Sequence, residues 1–99
     1  VILPGTSYAE KEGTFSNTER RVQRVRKAVT LEGEMRLDTD IFIDLMNRMG
    51  YPQAQLTSEE IMDEIASLTP SFAGISHRRL DKGESIQWPC PDKKHPGTP

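Results

Sequence analysis

Two glycines, a lysine and a run of arginines in the first third of this 99-residue chain carry its strongest chemical signal. Gly5 and Gly13 lack a Cβ and let a ligand come close to the backbone, and Lys11 sets a compact charge beside them. Arg20, Arg21, Arg24, Arg26 and Lys27 follow a polar loop that holds Asn17 and Glu19. Cations flanked by glycine suit phosphate, although no G-x-x-x-x-G-K-[ST] run exists and this is not a Walker loop. From composition alone a lysine in such a loop is more often simply solvated. The residues leave both readings open.

Other chemistry finds little support. Cys90, His77 and His95 are the only soft or borderline metal ligands, and none has C-x-x-C or H-x-x-x-H company, so no metal site is expected. Cys90 reads as a packed thiol beside Trp88. Ser7 and Ser16 lie in loops without a nucleophile elbow, and no histidine is placed near them by sequence. Glu10 and Glu12 would share a face if extended, as paired surface glutamates commonly do. No catalytic residue is expected.

The elements that must position these groups are few. The chain allows one small core at most, with 34% hydrophobic and 28% charged residues and a net charge of −2. Residues 1–30 hold six basic and three acidic side chains, a polarity that would orient an anionic ligand toward the first third. A single cysteine excludes an internal disulfide, and no apolar run approaches the roughly 20 residues that span a bilayer. Val1 to Leu3 reads as the tail of a buried strand closed by Pro4-Gly5, with no signal-peptide pattern. Residues 5–20 read as an ordered loop anchored by Tyr8 and Phe15. From Arg20 to Val29 two readings compete. Val22, Val25 and Val29 recur at helical spacing behind a possible Asn17 or Thr18 cap, yet β-branched residues favour a strand.

Further on, the signals sharpen. Ile41, Phe42, Leu45, Met46 and Met49 form an apolar stripe between Leu37 and Gly50, with Asp38 or Thr39 as the cap and Gly50 as the stop. A second helix runs from about Ser58 to Leu68, opened by a Thr57/Glu60 capping box and a Leu56–Ile61 staple. The two helices are expected to pack as an antiparallel pair that is marginal alone. Ser76 to Leu80 suggests one helical turn, Asp81-Lys82-Gly83 a turn, and Ser85 to Trp88 a short strand. The prolines from Pro89 onward read as a tail or linker. The fold class is α+β, mainly a helix pair with short strands.

The segment EKEGTFSNTERR, with E-K-x-G followed by N-x-E-R-R, resembles the enzymes that use molybdopterin guanine dinucleotide. RMGYP, EEIMDEIASLTPSFAGIS and IQWPC are similar to formate dehydrogenase catalytic (alpha) subunits rather than to periplasmic nitrate reductases. The resemblance implies an internal fragment: residues 1–88 from an α/β molybdopterin-oxidoreductase domain, and residues 89–99 a linker toward the C-terminal dinucleotide-binding domain. It also implies a strand for residues 20–29, which is the reading adopted. The parent would hold molybdenum or tungsten and a 4Fe-4S cluster, oxidise formate to carbon dioxide and pass electrons to partner subunits. The iron–sulfur cysteines, the metal ligand and the family's catalytic histidine and arginine have no counterparts here. The fragment alone is therefore expected to be inactive and to hold no bound cofactor, with no nucleic-acid or direct membrane contact.

By the same resemblance, Lys11 and Asp38 would contact the guanine dinucleotide. Lysine neutralises a phosphate or donates to a cofactor oxygen, and an aspartate accepts from both guanine N–H groups. A helix cap would account for Asp38 equally well. For Arg20 and Arg21, pairing with Glu19, Glu12 or acidic groups elsewhere is favoured over a cofactor phosphate. Two rival functions remain: a basic helix from Arg20 to Lys27 that binds nucleic acid or an acidic partner, and a structural brace without cofactor contact. The lack of aromatics in the basic stretch and the net negative charge weigh against the first.

Overall fold

Asn17 turns the chain back on itself. In the computed structural model, which describes residues 1–99, Asn17 Oδ1 accepts from the backbone N–H groups of Glu19 and Arg21, both at 2.9 Å. Arg20 completes the turn in the left-handed region at φ 65°, a costly conformation for a residue with a Cβ. The Asn17 bonds offset that cost. Strands β1 (Gly13–Ser16) and β2 (Arg21–Val25) thus pair antiparallel, with Gly13 opposite Val25 and Ser16 opposite Val22. Strand β3 (Ile86–Gln87) joins the other edge of β2, giving the order β1-β2-β3.

The strand reading of the arginine run is right through Val25, and Val29 lies beyond it, exposed. The loop reading of residues 5–20 needs correction, because it contains β1 and a 3-10 turn at Tyr8–Glu10. GTFS has one large side chain and no alternation, so only its pairing with β2 makes it a strand. Val1 to Leu3 forms no strand and is exposed, since no neighbouring strand lies beside it.

The three helices are α1 (Asp38–Arg48), α2 (Ser58–Leu68) and α3 (His77–Asp81). The Thr57/Glu60 box opens α2 as its sequence spacing requires. Gly50 follows α1 at φ 85°. Helix α1 differs from expectation in two ways. Leu37 is its N-cap with no side-chain bond, so neither Asp38 nor Thr39 caps it. Its buried residue is Ile43, while Phe42 is 64% exposed and Met49 also faces outward. Thr39, Phe42, Ile43 and Met46 line the side toward α2, so the expected stripe only partly matches the inward face.

Helices α1 and α2 do not form the expected close pair. Helix α2 packs on β1 and on a second 3-10 turn, Pro70–Phe72. Between α1 and α2 lies an apolar cleft of about 260 Å³, lined by Phe42, Met46, Tyr51, Leu56 and Ile61 among others. The core instead joins Met62 of α2 to Val22, Ile75, Ile86 and Cys90, with Phe72, Leu80 and Trp88 packed around it. Phe72 and Trp88 stack with ring centroids 5.9 Å apart. Sheet and helices are segregated, which makes this an α+β architecture.

Residues 89–99 contain no helix or strand, yet they fold back on the body instead of trailing away. Cys90 N–H donates to Ser71 O and Gly74 N–H to Cys90 O, both at 2.7 Å, and Thr98 N–H donates to Gln87 O at 3.0 Å. Gly74 is required where it sits, because a Cβ there would collide with the Asp92 backbone and Cys90 Sγ. The prolines rule out regular structure but not packing. The fold is open for its length: the radius of gyration is 15.0 Å, against about 13 Å for a compact domain of this size.

Candidate functional site

Lys11 leaves the first 3-10 turn, whose geometry is set by a Ser7/Glu10 box. Glu10 Oε2 accepts from Ser7 N–H and Oγ–H, both at 2.9 Å, and these bonds hold the Glu10 carboxyl below its usual range. Ala9 O accepts from Ala28 and Val29 N–H, tying the turn to the chain that leaves β2. Asp38 is the first residue of α1, and Arg36 N–H donates to Pro4 O at 3.1 Å. The backbone around Pro4 and Gly5 therefore runs beside the entry to α1.

These elements bring together two residues 27 positions apart. Lys11 Nζ donates to Asp38 Oδ2 at 2.5 Å, with the lysine side chain 24% and the aspartate 44% exposed. A Cβ on Gly5 would lie 2.5 Å from Asp38 Oδ1. Next to Gly5, the buried Thr6 Oγ1 has no hydrogen-bond partner. The ammonium, the carboxylate and the Gly5 backbone thus lie together, a donor and acceptor set with the chemical types that polar and anionic ligands use. Since Asp38 does not cap α1, its Oδ2 is held by Lys11 while its Oδ1 has no hydrogen-bond partner.

The arginine run has other duties. Arg24 Nε and Arg26 Nη2 both donate to Asp81 Oδ1, at 3.1 and 2.7 Å. Arg21 approaches Glu19 at 3.9 Å, in keeping with the pairing favoured for it. Arg20 has no such partner and lies over Trp88, 5.9 Å from the ring centroid. A strand spreads these charges over both faces and Asp81 offsets two of them, so the basic helix of the rival reading does not form. No three His, Cys, Asp or Glu side chains cluster as metal ligands. No helix is long and apolar enough to cross a membrane.

Sequence reasoning missed His77. Its ring is 2% exposed, with Nε2 2.8 Å from Thr14 Oγ1 and 3.0 Å from Arg24 Nη1. Arginine only donates, so Nε2 must accept and the ring proton must sit on Nδ1. His77 thereby pins α3 to β1 and β2. Burial lowers its pKa first and the Arg24 charge adds to this, with Glu59, Asp81 and Asp63 opposing. The unfolded chain therefore takes up a proton first as pH falls below the ordinary value of about 6.5. Stability from this group is fully present above that pH and is lost below it, toward the lower folded-state value. Thermal melts of the intact subunit should show a fall between pH 7.5 and 5.5 that is reduced in His77→Gln; equal falls would exclude His77 as the cause.

Residues 1–48 match the molybdopterin oxidoreductase family. That match takes in just under half of the chain, and the family it describes implies a molybdopterin cofactor. The chain is 48% identical to the "F420-dependent formate dehydrogenase 1 subunit alpha" of Methanococcus maripaludis, an alignment covering 100% of this chain and 15% of the relative. It is 46% identical to the "F420-dependent formate dehydrogenase subunit alpha" of Methanocaldococcus jannaschii, over 99% of this chain and 15% of the relative. The chain thus spans about 15% of the length of these relatives.

Proposed function

We propose that this chain is a segment of a formate dehydrogenase catalytic subunit, and that it helps to hold molybdopterin guanine dinucleotide through Lys11 and Asp38. In this reading the parent oxidises formate to carbon dioxide. Formate would give up two electrons and a proton, and a 4Fe-4S cluster held elsewhere in the parent, with electron-transfer subunits, would supply the route for the electrons. Molybdenum or tungsten on the pterin supplies the redox chemistry when bound. The identity to named formate dehydrogenase alpha subunits over the full chain is the observation that carries the proposal.

The residues of this chain would bind and orient. Lys11 would neutralise a nucleotide phosphate or donate to a cofactor oxygen, and Asp38 would accept from the guanine edge. Their proximity, across a gap of 27 residues in sequence, supports a shared ligand. The open fold and the exposed Phe42, Met49, Tyr51 and Leu68 support a segment embedded in a larger subunit. Residues 89–99 would lead toward a C-terminal dinucleotide-binding domain, anchored at Cys90 and Thr98. The structural-brace reading differs in one respect, which is that Lys11 and Asp38 would hold only each other.

The intact subunit, purified with its cofactor, should reduce a viologen dye when given formate. Failure to reduce the dye with formate, together with oxidation of reduced dye by nitrate, would overturn the assignment to formate dehydrogenase.

A further inference from the structure

Gly5 occupies a position where a side chain would disturb one neighbour only. A Cβ there would lie 2.5 Å from Asp38 Oδ1 and 3.7 Å from its Cγ, and would meet nothing else within 4 Å apart from its chain neighbours. Gly5 is not among the glycines with positive φ, so its backbone suits alanine without strain. The obstructing atom is the free end of a side chain. A methyl group would therefore be accommodated by swinging the carboxylate aside, and the fold would not change. Gly74 is the opposite case, where the obstacle is backbone.

The Asp38 carboxylate lies with Oδ1 against Gly5 and Oδ2 on Lys11. Displacing the first oxygen must turn the second, because both belong to one planar group. We propose that Gly5 is a positioning residue: its missing Cβ lets the Asp38 carboxylate lie against the backbone there and so fixes how carboxylate and ammonium are jointly presented. The consequence for ligand binding rests on the reading of Lys11 and Asp38 as nucleotide contacts. The geometric claim does not.

The test uses the intact subunit prepared free of cofactor, with an amine-acylating reagent and mass-spectrometric quantitation of the Lys11 peptide. Gly5→Ala should raise the acylation rate of Lys11 by about two- to fivefold, the range expected when a partly exposed ion pair is lost. The melting temperature should stay at the wild-type value. In an Asp38→Ala background, where nothing remains to be displaced, Gly5→Ala should add no further increase. A Lys11 rate unchanged by Gly5→Ala, or a full increment in the Asp38→Ala background, overturns the proposal. Guanine nucleotide content of Gly5→Ala and Lys11→Ala holoenzymes separates the two ideas. If acylation rises while nucleotide content holds in both, Gly5 keeps its positioning role and the nucleotide reading fails.

Discussion

Lys11→Ala in the intact enzyme is expected to lower retained guanine nucleotide and molybdenum or tungsten about tenfold after purification, with formate-dependent activity falling in parallel. A hydrogen bond to a charged group contributes about 1.5–3 kcal/mol, and about 1.4 kcal/mol corresponds to a factor of ten in affinity. Lys11 is less exposed than Asp38, which sharpens its contribution relative to a freely solvated lysine. The substitution also strands the Asp38 carboxylate without its only side-chain partner, adding to the loss. Metal analysis and nucleotide release on denaturation measure the effect directly. Full cofactor content with full activity would remove Lys11 from the binding site and leave the structural brace as the better account.

Arg79→Ala is expected to destabilise the C-terminal part of the segment by about 3 kcal/mol. The Arg79 side chain is largely buried and donates to four acceptors: Gly74 O at 2.6 Å, His95 O at 2.9 Å, Glu84 Oε2 at 2.8 Å and Cys90 Sγ at 3.5 Å. No other group donates to Gly74 O, and His95 O would keep only the weak Cys90 Sγ–H contact at 3.4 Å; Cys90 itself is 0% exposed. Limited trypsin digestion of the intact subunit should cut sooner after Lys93 or Lys94 in the variant, alongside a lower melting temperature. Arg79→Lys should recover only part of the loss, since one ammonium cannot reach acceptors spread around a planar fork. Cleavage at the wild-type rate would show that residues 89–99 are held by their backbone bonds alone.

Where a signal was local, the sequence was enough. The Thr57/Glu60 box, Gly50 as the stop of α1 and the short helix after Ser76 each depend on residues within one or two turns. Where a partner lay far away, it was not. GTFS becomes a strand because Arg21–Val25 lies beside it, and α1 buries Ile43, outside the expected stripe, while Phe42 and Met49 stay exposed. His77 and Arg79 looked like isolated polar residues until the fold surrounded them with Thr14, Arg24, Gly74 and His95.

The candidate site divides in the same way. Lys11 and Asp38 were legible as a pair through family resemblance, and Gly5 only as a permissive glycine. The amino-acid order by itself determined the limits of α2, the Gly50 stop of α1 and the chemical types available to a ligand, because these follow from short-range backbone and side-chain preferences. The tertiary structure alone decided that Asp38 spends its carboxylate on Lys11 instead of on its own helix, and that Gly5 makes room for it. Contacts across 27 and 33 residues depend on how separate elements pack, and no local preference encodes that distance.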